Sequence, residues 1–517
     1  NPLFLNAPLA SAAPTTAGNF HVLSFSPAID MGDSDANGLP LDLDGHARIE
    51  NNIIDIGPYE TGFFDCAFYP AGTIFVDSSA TGLNNGSSWV NAYTDLQDAL
   101  MAVRLCNLVD TIKVARGTYY PSHLDTIITM AVCPGLPADT FYYPLDRTVS
   151  FMIPDSIVVI GGFEGLLGDT SNRDLLCNKT ILCGDIDQNG DTLNNSYHVV
   201  LTIDVDSTTV VDGFWIQGGN ATGVGVLGNG GGWYNEGTAI GGISTPLIKN
   251  TRFSGNVATN GGGMYNRGTS DGLSSPILIN CIFSGNVAGL GGGMFNNGGD
   301  GNSSPRLINT TFASNLANSG GAMYNAGNIG TSNPVLINCI AWDNMASSGP
   351  VFYNSFANPT ISYSLFQGAD LTSLMIGDIP HSVIDGGNNK YGQDPIFLFS
   401  PSAGLTTAGD YHVVAGSPSV NMGDNTANAE STDLDGAPRF YGMIDMGPYE
   451  FNGLDCNLFS AGIVYVDSAA NGANNGTSWA NAFTDLNLAL FTVSSCTDVD
   501  TIKVAQGTYY PSLPDTI

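Results

Sequence analysis

Four consecutive stretches of this chain share one pattern: PLIKNTRFSGNVATNGGGMYN from Pro246, PILINCIFSGNVAGLGGGMFN from Pro276, PRLINTTFASNLANSGGAMYN from Pro305 and PVLINCIAWDNMASSGPVFYN from Pro334. Each stretch holds short alternating apolar runs separated by Asn and Gly, which predicts short strands joined by tight turns. A period of about 30 residues with two or three strands per repeat indicates a parallel β-helix, in which each repeat forms one coil. We therefore expect an all-β, right-handed parallel β-helix solenoid.

Equivalent positions of successive coils should stack about 4.8 Å apart. Asparagine side chains can hydrogen-bond from coil to coil and tolerate the left-handed backbone of tight turns. We expect two such Asn ladders, formed by Asn250, Asn280, Asn309 and Asn338 and by Asn256, Asn286, Asn315 and Asn344. Two columns should lie in the core, a ring stack of Phe253, Phe283 and Phe312 and a column of small side chains, Thr251, Cys281, Thr310 and Cys339. Cys281 and Cys339 would be two coils apart, roughly 10 Å, so we expect free thiols, because a disulfide needs a closer approach.

A larger repeat encloses these coils. Residues 71–127 match residues 461–517 without a gap, and the block SPAIDMGD…IDIGPYE at 26–60 matches SPSVNMGD…IDMGPYE at 417–450. The copies lie about 390 residues apart, and self-similarity on this scale is typical of a tandem array.

Four segments follow from the larger repeat. We interpret residues 1–61 as an Asp/Gly-rich cap module, here called the first cap module, that ends a preceding unit. Residues 62–395 would form a capping helix plus the β-helix. Residues 396–451 would be the second cap module, and residues 452–517 the start of the next unit.

One amphipathic helix is predicted just before the first coil. Thr94 and Gln97 have the spacing of a capping box, and an apolar face follows, formed by Leu96, Leu100 and Val103. The same pattern recurs from Thr484. We expect this helix to shield the open end of the β-helix, where strand edges would otherwise be unpaired.

The cysteine positions indicate the compartment. Cys66 and Cys106 recur as Cys456 and Cys496, which predicts a disulfide in each copy, with free buried thiols as the alternative. A further bridge is open to two more residues, Cys177 and Cys183. Disulfides persist in oxidising environments, so we expect an extracellular or cell-surface protein.

The charge balance excludes several classes of partner. Only 14 Lys and Arg stand against 47 Asp and Glu, a net charge of −33, so the chain offers nothing to neutralise nucleic-acid phosphates. The same charge disfavours anionic membrane surfaces, and no stretch has the apolar length of a transmembrane helix. We expect neither nucleic-acid binding nor membrane insertion in this segment.

Three acidic loops have the spacing of calcium-binding loops. Oxygen-bearing side chains at positions 1, 3, 5 and 12 of a loop are the pattern of an EF-hand, and Ca²⁺ prefers such ligands. The first loop offers Asp33, Asp35, Asn37 and Asp44; the second offers Asp424, Asn428 and Asp435, with Thr426 at position 3. The third has only the front half of the pattern, Asp185, Asp187, Asn189 and Asp191, with Ser196 where the acid of position 12 should be. The alternative is that Asp and Asn form Asx turns without an ion. Calcium is the only cofactor that the sequence predicts.

Catalytic residues are the next class that we sought, because a β-helix also supports polysaccharide lyases and hydrolases. A lyase needs a base with a bound cation, and a hydrolase needs paired carboxylates. The charged residues of the coils recur nowhere at equivalent positions: Lys249, Arg252, Arg267, Asp271, Asp300, Arg306 and Asp343. His21 and His412 are matched copies, which favours a structural role. We therefore expect no enzyme.

Several motifs resemble known families. The SW–helix–GTYYP opening, the GGF…NRD…YHVV segment and the GGGMYN coils are similar to right-handed β-helix proteins of the pectate-lyase-like superfamily. The SPAID…DLDG…IDIGPYE blocks resemble the choice-of-anchor Q domain of large surface and secreted proteins of the Bacteroidota. That resemblance implies export by the type IX route and display at the cell surface.

Together these patterns predict a structural role. We expect a segment of a giant tandem-repeat fibre, surface appendage or adhesin that attaches the cell to surfaces or to other cells, prey included. Its partners would be copies of itself, assembled side by side, and a cell-surface or polysaccharide target. The alternative function is a polysaccharide-binding or polysaccharide-degrading β-helix.

Overall fold

The computed structural model describes most of the solenoid and parts of the flanking segments. The described residues are 4–6, 19–22, 28, 31–34, 39–43, 48, 54–59, 66, 69, 72–106, 108–122, 146–167, 173–238, 241–378, 382–414, 416–439, 443–451, 459, 462–470, 476–484, 486–496 and 499–509. Within them, no helix is both long enough and apolar enough to span a bilayer.

Four parallel sheets form the body of the protein, and each coil contributes one short strand to several of them. Sheet 1 has ten strands: Thr73–Val76, Thr111–Ala115, Val158–Phe163, Val210–Asp212, Leu247–Lys249, Ile277–Ile279, Arg306–Ile308, Val335–Ile337, Thr360–Ser362 and Ile384–Asp385. Sheet 2 has nine: Gly117–Tyr119, Thr180–Cys183, Trp215–Gln217, Arg252–Ser254, Ile282–Ser284, Thr311–Ala313, Ile340–Trp342, Leu365–Phe366 and Lys390–Tyr391.

Sheets 3 and 4 complete the circuit of each coil. Sheet 3 has five strands: Asn220–Ala221, Val257–Asn260, Val287–Leu290, Leu316–Ser319 and Met345–Ser348. Sheet 4 has eight: Phe151–Met152, Val200–Ile203, Trp233–Gly237, Met264–Gly268, Met294–Asn297, Met323–Ala326, Phe352–Ser355 and Gly377–Asp378. A small parallel pair, Ile243–Ser244 with Leu273–Ser274, lies between sheet 4 and the next strand of sheet 1. The predicted all-β parallel solenoid is confirmed.

The first predicted Asn ladder lies at the turn from sheet 1 to sheet 2. All four residues have a positive φ, between 48° and 57°, as the tight turn requires. The amide of Asn280 donates to Asn250 (3.1 Å), and that of Asn338 donates to Asn309 (3.2 Å). Asn250 in turn donates to the carboxylate of Asp212 in the coil before (2.8 Å).

The second predicted ladder is continuous and buried. Asn256 donates to Asn286 (3.0 Å), Asn286 to Asn315 (3.0 Å) and Asn315 to Asn344 (2.8 Å). Each amide also donates to a backbone carbonyl of the neighbouring coil, as Asn286 does to Phe253 (2.9 Å). The ladder therefore satisfies buried polar groups that would otherwise cost folding energy.

A third Asn ladder, which the sequence analysis did not identify, runs inside sheet 4. It joins Asn235, Asn266, Asn296, Asn325 and Asn354 through side-chain amide bonds of 2.8 to 3.2 Å. All five side chains are buried. Three polar ladders thus bracket the apolar core.

The predicted core columns are present. The rings of Phe253, Phe283 and Phe312 stack with centroids 4.4 and 4.8 Å apart. The column of small side chains, Thr251, Cys281, Thr310 and Cys339, is fully buried, and both cysteines are free thiols as predicted.

The predicted helix spans Leu96–Leu105 and closes one end of the core. Its apolar face is buried as expected. The predicted capping box is wrong: Asp95 is the N-cap and its carboxylate accepts from the backbone N–H of Gln97 (2.8 Å), whereas Thr94 donates to Asn84. A short Asp side chain suits the N-cap position as well as Thr does, and here it lies one residue closer to the helix.

The second cap module lies along the side of the solenoid. It contains an antiparallel pair, Phe397–Phe399 with Asp410–Val413, and a loop-rich segment up to residue 451. The first cap module contains the matching pair, Phe4–Asn6 with Asn19–Val22. The C-terminal segment forms the parallel pair Ile463–Val466 with Thr501–Val504 and the helix Leu486–Ser495. Among the described residues, 3₁₀ turns span Gly165–Leu167, Gly225–Gly228 and Leu371–Leu374.

Candidate functional site

The joint between the second cap module and sheet 2 brings charged and aromatic side chains together. It encloses a cavity of about 140 Å³. Sheet 2 supplies Trp215 and Arg252, and the cap module supplies Asp410, His412, Asp435 and Tyr449. Ligand pockets usually have volumes of about 300–1,000 Å³, so the cavity is small for a sugar.

His412 is held between two carboxylates. Its Nδ1 lies 2.5 Å from Asp410 Oδ1, its Nε2 lies 2.5 Å from Asp435 Oδ2, and its ring stacks on Tyr449 at 3.7 Å. Burial alone would lower the pKa of His412, but the two carboxylates outweigh it and raise the pKa to about 9. A protonated imidazole whose two N–H groups both donate to carboxylates holds the joint together and cannot act as a general base.

Arg252 anchors the other side of the joint. Its buried guanidinium donates to the backbone carbonyls of Thr407, Ala408 and Gly409 in the cap module, at 3.1 to 3.2 Å. It also lies 4.7 Å from the centre of the Trp215 ring. The two terminal nitrogens of the guanidinium therefore hold the cap module on the solenoid.

Three further charged candidates of the coils are separated from one another. Lys249 pairs with Glu430 of the second cap module (3.2 Å), and Arg267 pairs with Glu236 in the preceding coil (3.1 Å). Burial raises the pKa of Asp343. The three lie at separate places, so they form no shared catalytic group.

The predicted ligands of the second calcium loop have separate hydrogen-bond partners. The amide of Asn428 is buried and donates to Asn280 and Asn309, both at 3.0 Å. Asp435 holds His412, and the carboxylate of Asp424 accepts from the backbone and hydroxyl of Thr426.

The third acidic loop has the hydrogen bonds of Asx turns. Asn189 accepts from the backbone N–H of Asp191 (2.7 Å), and Asp191 accepts from that of Leu193 (2.8 Å). Burial raises the pKa of Asp185, and the neighbouring Asp187 adds to this rise. Among the described residues, no group of three His, Cys, Asp or Glu is arranged to hold a metal ion. Of the predicted ligands in the first loop, only Asp33 is among the described residues; Asp35, Asn37 and Asp44 lie outside them. Calcium binding stays a prediction.

The cysteines follow the duplicated pattern where they are described. Cys66 and Cys106 form a disulfide with an S–S distance of 2.05 Å. Cys496 is disulfide-bonded too, and Cys456 lies outside the described residues. The bridge between Cys177 and Cys183 is wrong, because both are free. Cys177 is exposed on a turn, whereas Cys183 is buried at the end of a strand of sheet 2.

An aromatic ladder covers the outer face of sheet 4. It consists of Tyr234, Tyr265, Phe295, Tyr324 and Tyr353, with ring centroids 4.7 to 5.6 Å apart. Sugars bind aromatic platforms through exposed ring faces, but here each face meets the next ring. The GGGMYN repeats contained the signal for this ladder, since the residue before each Asn is aromatic.

Comparison with known proteins assigns the chain to no family. No protein-family model and no curated protein matches the chain, so the choice-of-anchor Q and Bacteroidota assignments find no support there. Among solved structures the chain is similar to "Crystal structure of pectate lyase Pel9A", at 13% identity and a TM-score of 0.30. That match covers 73% of this chain and 96% of the other. At this low level of similarity, the likeness says nothing about activity.

Proposed function

We propose that the chain is a structural segment of a tandem-repeat extracellular protein, in which each unit consists of a parallel β-helix and a cap module docked on its side. The unit would serve a fibre, surface appendage or adhesin that attaches the cell to surfaces or to other cells. The Cys66–Cys106 disulfide supports an extracellular location.

One observation carries the proposal: the duplicated sequence blocks have the same local structure. The parallel pair Thr73–Val76 with Thr111–Ala115 has its counterpart in Ile463–Val466 with Thr501–Val504. Phe75 donates to the carbonyl of Gly86, and the matched Tyr465 donates to Gly476, both at 2.9 Å. Two equivalent solenoid starts in one chain are what an array of units requires.

The geometry disfavours the alternative of a polysaccharide-degrading or polysaccharide-binding β-helix. The imidazole of His412 is protonated and held by two carboxylates, and the outer aromatic rings cover one another. His412 is therefore not available as a base, and the stacked rings of this ladder offer no open sugar platform.

Electron microscopy of the native assembly, together with its mass, tests the proposal. Each unit should appear as a rod of about 45 Å, from ten sheet-1 strands at about 4.8 Å spacing. Rods should recur along each filament. An isolated protein without repeating rods, or one that depolymerises an acidic polysaccharide, would contradict the structural role.

A further inference from the structure

The two cap modules have the same internal fold. Four backbone hydrogen bonds recur at matched positions and similar lengths, 2.7 to 3.1 Å. They are Gly32 to Ile54 and Gly423 to Ile444; Ile56 to Ala28 and Met446 to Ser419; Leu43 to Pro58 and Leu434 to Pro448; and Arg48 to Pro40 and Arg439 to Ser431. The inner side chains are buried in both copies, as Arg48 and Arg439 illustrate. The described parts of the first cap module are therefore arranged like the matched parts of the second.

The two modules differ on one face. In the second cap module Leu434 is 9% exposed and packs against Ile282 and Ala313 of sheet 2. The matched Leu43 of the first cap module is 70% exposed. An apolar side chain that is covered in one copy is thus bare in the other.

A second matched position shows the same contrast. Met446 is 1% exposed and packs with Ile340 and Leu365 of sheet 2. The matched Ile56 is 57% exposed. The two exposed side chains thus mark the face that the second module buries.

Gly447, the residue after Met446, shows how closely the backbone of the second cap module approaches the solenoid. A Cβ at Gly447 would lie 3.0 Å from Cδ1 of Ile340, and the Gly447 N–H donates to the carbonyl of Asn338 at 2.7 Å. A Cβ at the matched Gly57 would meet nothing within 4 Å. The first cap module keeps the glycine that close docking needs, but no β-helix lies against it.

We propose that the face formed by Leu43, Ile56 and Gly57 is a docking surface for sheet 2 and the adjoining Asn turn ladder of another parallel β-helix. The solenoid of this chain cannot be that partner, because its own sheet 2 already carries the second cap module. The partner surface would present aliphatic side chains like Ile282 and Ile340 and carbonyls like that of Asn338. This inference rests on the proposed array of β-helix units and names the contact between a cap module and its solenoid.

A cap exchange within the full chain tests the docking surface. Residues 3–61 replace residues 396–451, so that the first cap module follows the solenoid of this chain. Its protection is measured by limited proteolysis, which follows the population of the undocked state. We expect the transplanted module to be as protected as the natural one. Leu43→Asp/Ile56→Asp in the transplant should then speed its cleavage about tenfold or more. Leu434→Asp/Met446→Asp should have the same effect in the natural chain.

Two further variants keep the test decisive if the exchanged chain misfolds. Leu43→Asp/Ile56→Asp in the unmodified chain should leave the cleavage rate of residues 396–451 unchanged, since that face has no partner there. The variant Thr432→Leu/Met446→Ile places two residues of the first cap module at the matched positions of the docked second cap module. The second cap module should stay protected from proteolysis in this variant. Loss of protection in this variant, or a transplanted module that is cleaved regardless of Leu43 and Ile56, overturns the inference.

These outcomes are separable from those of the proposed function. A native assembly with repeating rods whose transplanted cap module stays undocked would reject only the docking surface. A docked transplant together with a native protein that forms no array would reject only the structural role.

Discussion

The side-chain amide of Asn428 donates a 3.0 Å hydrogen bond to the side-chain oxygen Oδ1 of Asn280, 148 residues earlier in the chain. The same amide donates to the side-chain oxygen of Asn309 (3.0 Å). Asn280 and Asn309 are successive members of the first Asn ladder, and that ladder has no side-chain bond of its own between them. The second cap module thus completes a ladder that belongs to the solenoid, which makes this contact a sensitive probe of docking.

Asn428→Ala should destabilise the docked cap module by about 1–3 kcal/mol, because the buried side-chain oxygen of Asn280 loses its donor and that of Asn309 keeps only the amide of Asn338. Asn428→Asp should cost more, since a carboxylate would face the same oxygens. Urea unfolding and limited proteolysis of residues 396–451 measure the effect. Ser431→Ala, on the exposed surface of the same loop, is the control. Equal stability of Asn428→Ala and this control would contradict the prediction.

The cap joint should weaken in alkaline solution. The pKa of His412 is raised from 6.5 to about 9, so its stabilising contribution is complete below pH 6.5 and is lost as pH rises to about 9. Although burial opposes it, the hydrogen bond from His412 lowers the pKa of Asp410, so that contribution is lost in acid. Cap-module proteolysis across pH 5–10 should show the alkaline loss in the native chain. His412→Gln should remove it; an identical pH profile for the variant would count against this account.

The third Asn ladder should contribute strongly to solenoid stability. Asn296→Ala removes the acceptor of Asn266 and the donor to Asn325, both fully buried. We expect a loss of about 2–4 kcal/mol in the free energy of unfolding. The neighbouring Asn297 donates from the outer face to Tyr265, so Asn297→Ala should cost only about 0.5–1.5 kcal/mol. Equal losses in chemical denaturation would mean that the buried ladder has no special weight.

Thiol chemistry should separate the described cysteines. The Cys66–Cys106 bridge closes a 40-residue separation, so Cys66→Ala/Cys106→Ala should lower stability by about 4 kcal/mol in the chain-entropy model. Cys177 is exposed and should react with iodoacetamide in the native state. Burial raises the pKa of Cys281 and Cys339 to about 12, so they should react only after unfolding. Peptide mapping that finds Cys66 alkylated in the native chain would contradict the assignment.

Calcium is predicted to bind in the acidic loops and to bridge neighbouring chains, offsetting part of their net charge of −33. We expect calcium to raise the melting temperature and chelation to loosen lateral assembly. Asp187→Asn, at the centre of the third loop, should reduce the calcium response, and Asp206→Asn, on a different exposed turn, should not. An assembly that keeps its form without divalent ions would exclude calcium bridging.

The sequence predicts the periodic part of the molecule well. The 29–31-residue spacing identified two Asn ladders and the Phe253 stack, because stacked coils place equivalent residues together. The third ladder carried a usable signal, since Met264 and Asn266 are two residues apart and therefore share one strand face. The joint between the second cap module and sheet 2 carried no such signal in the sequence. The contact between Asn428 and Asn280 joins a loop to a coil with no shared period, so Asn428 was predicted as a calcium ligand.

The ladders also restrict how the chain can change length in evolution. Partners in the second ladder are 30, 29 and 29 residues apart, and those in the third are 31, 30, 29 and 29 apart. Within each coil the step from the second ladder to the third is constant, as from Asn256 to Asn266 and from Asn286 to Asn296. All the variation falls in the loop that leads from sheet 4 to the next strand of sheet 1. In the coils that carry these ladders, we therefore expect single-residue insertions and deletions only in that loop, whereas elsewhere this part of the solenoid can grow or shrink only by whole coils.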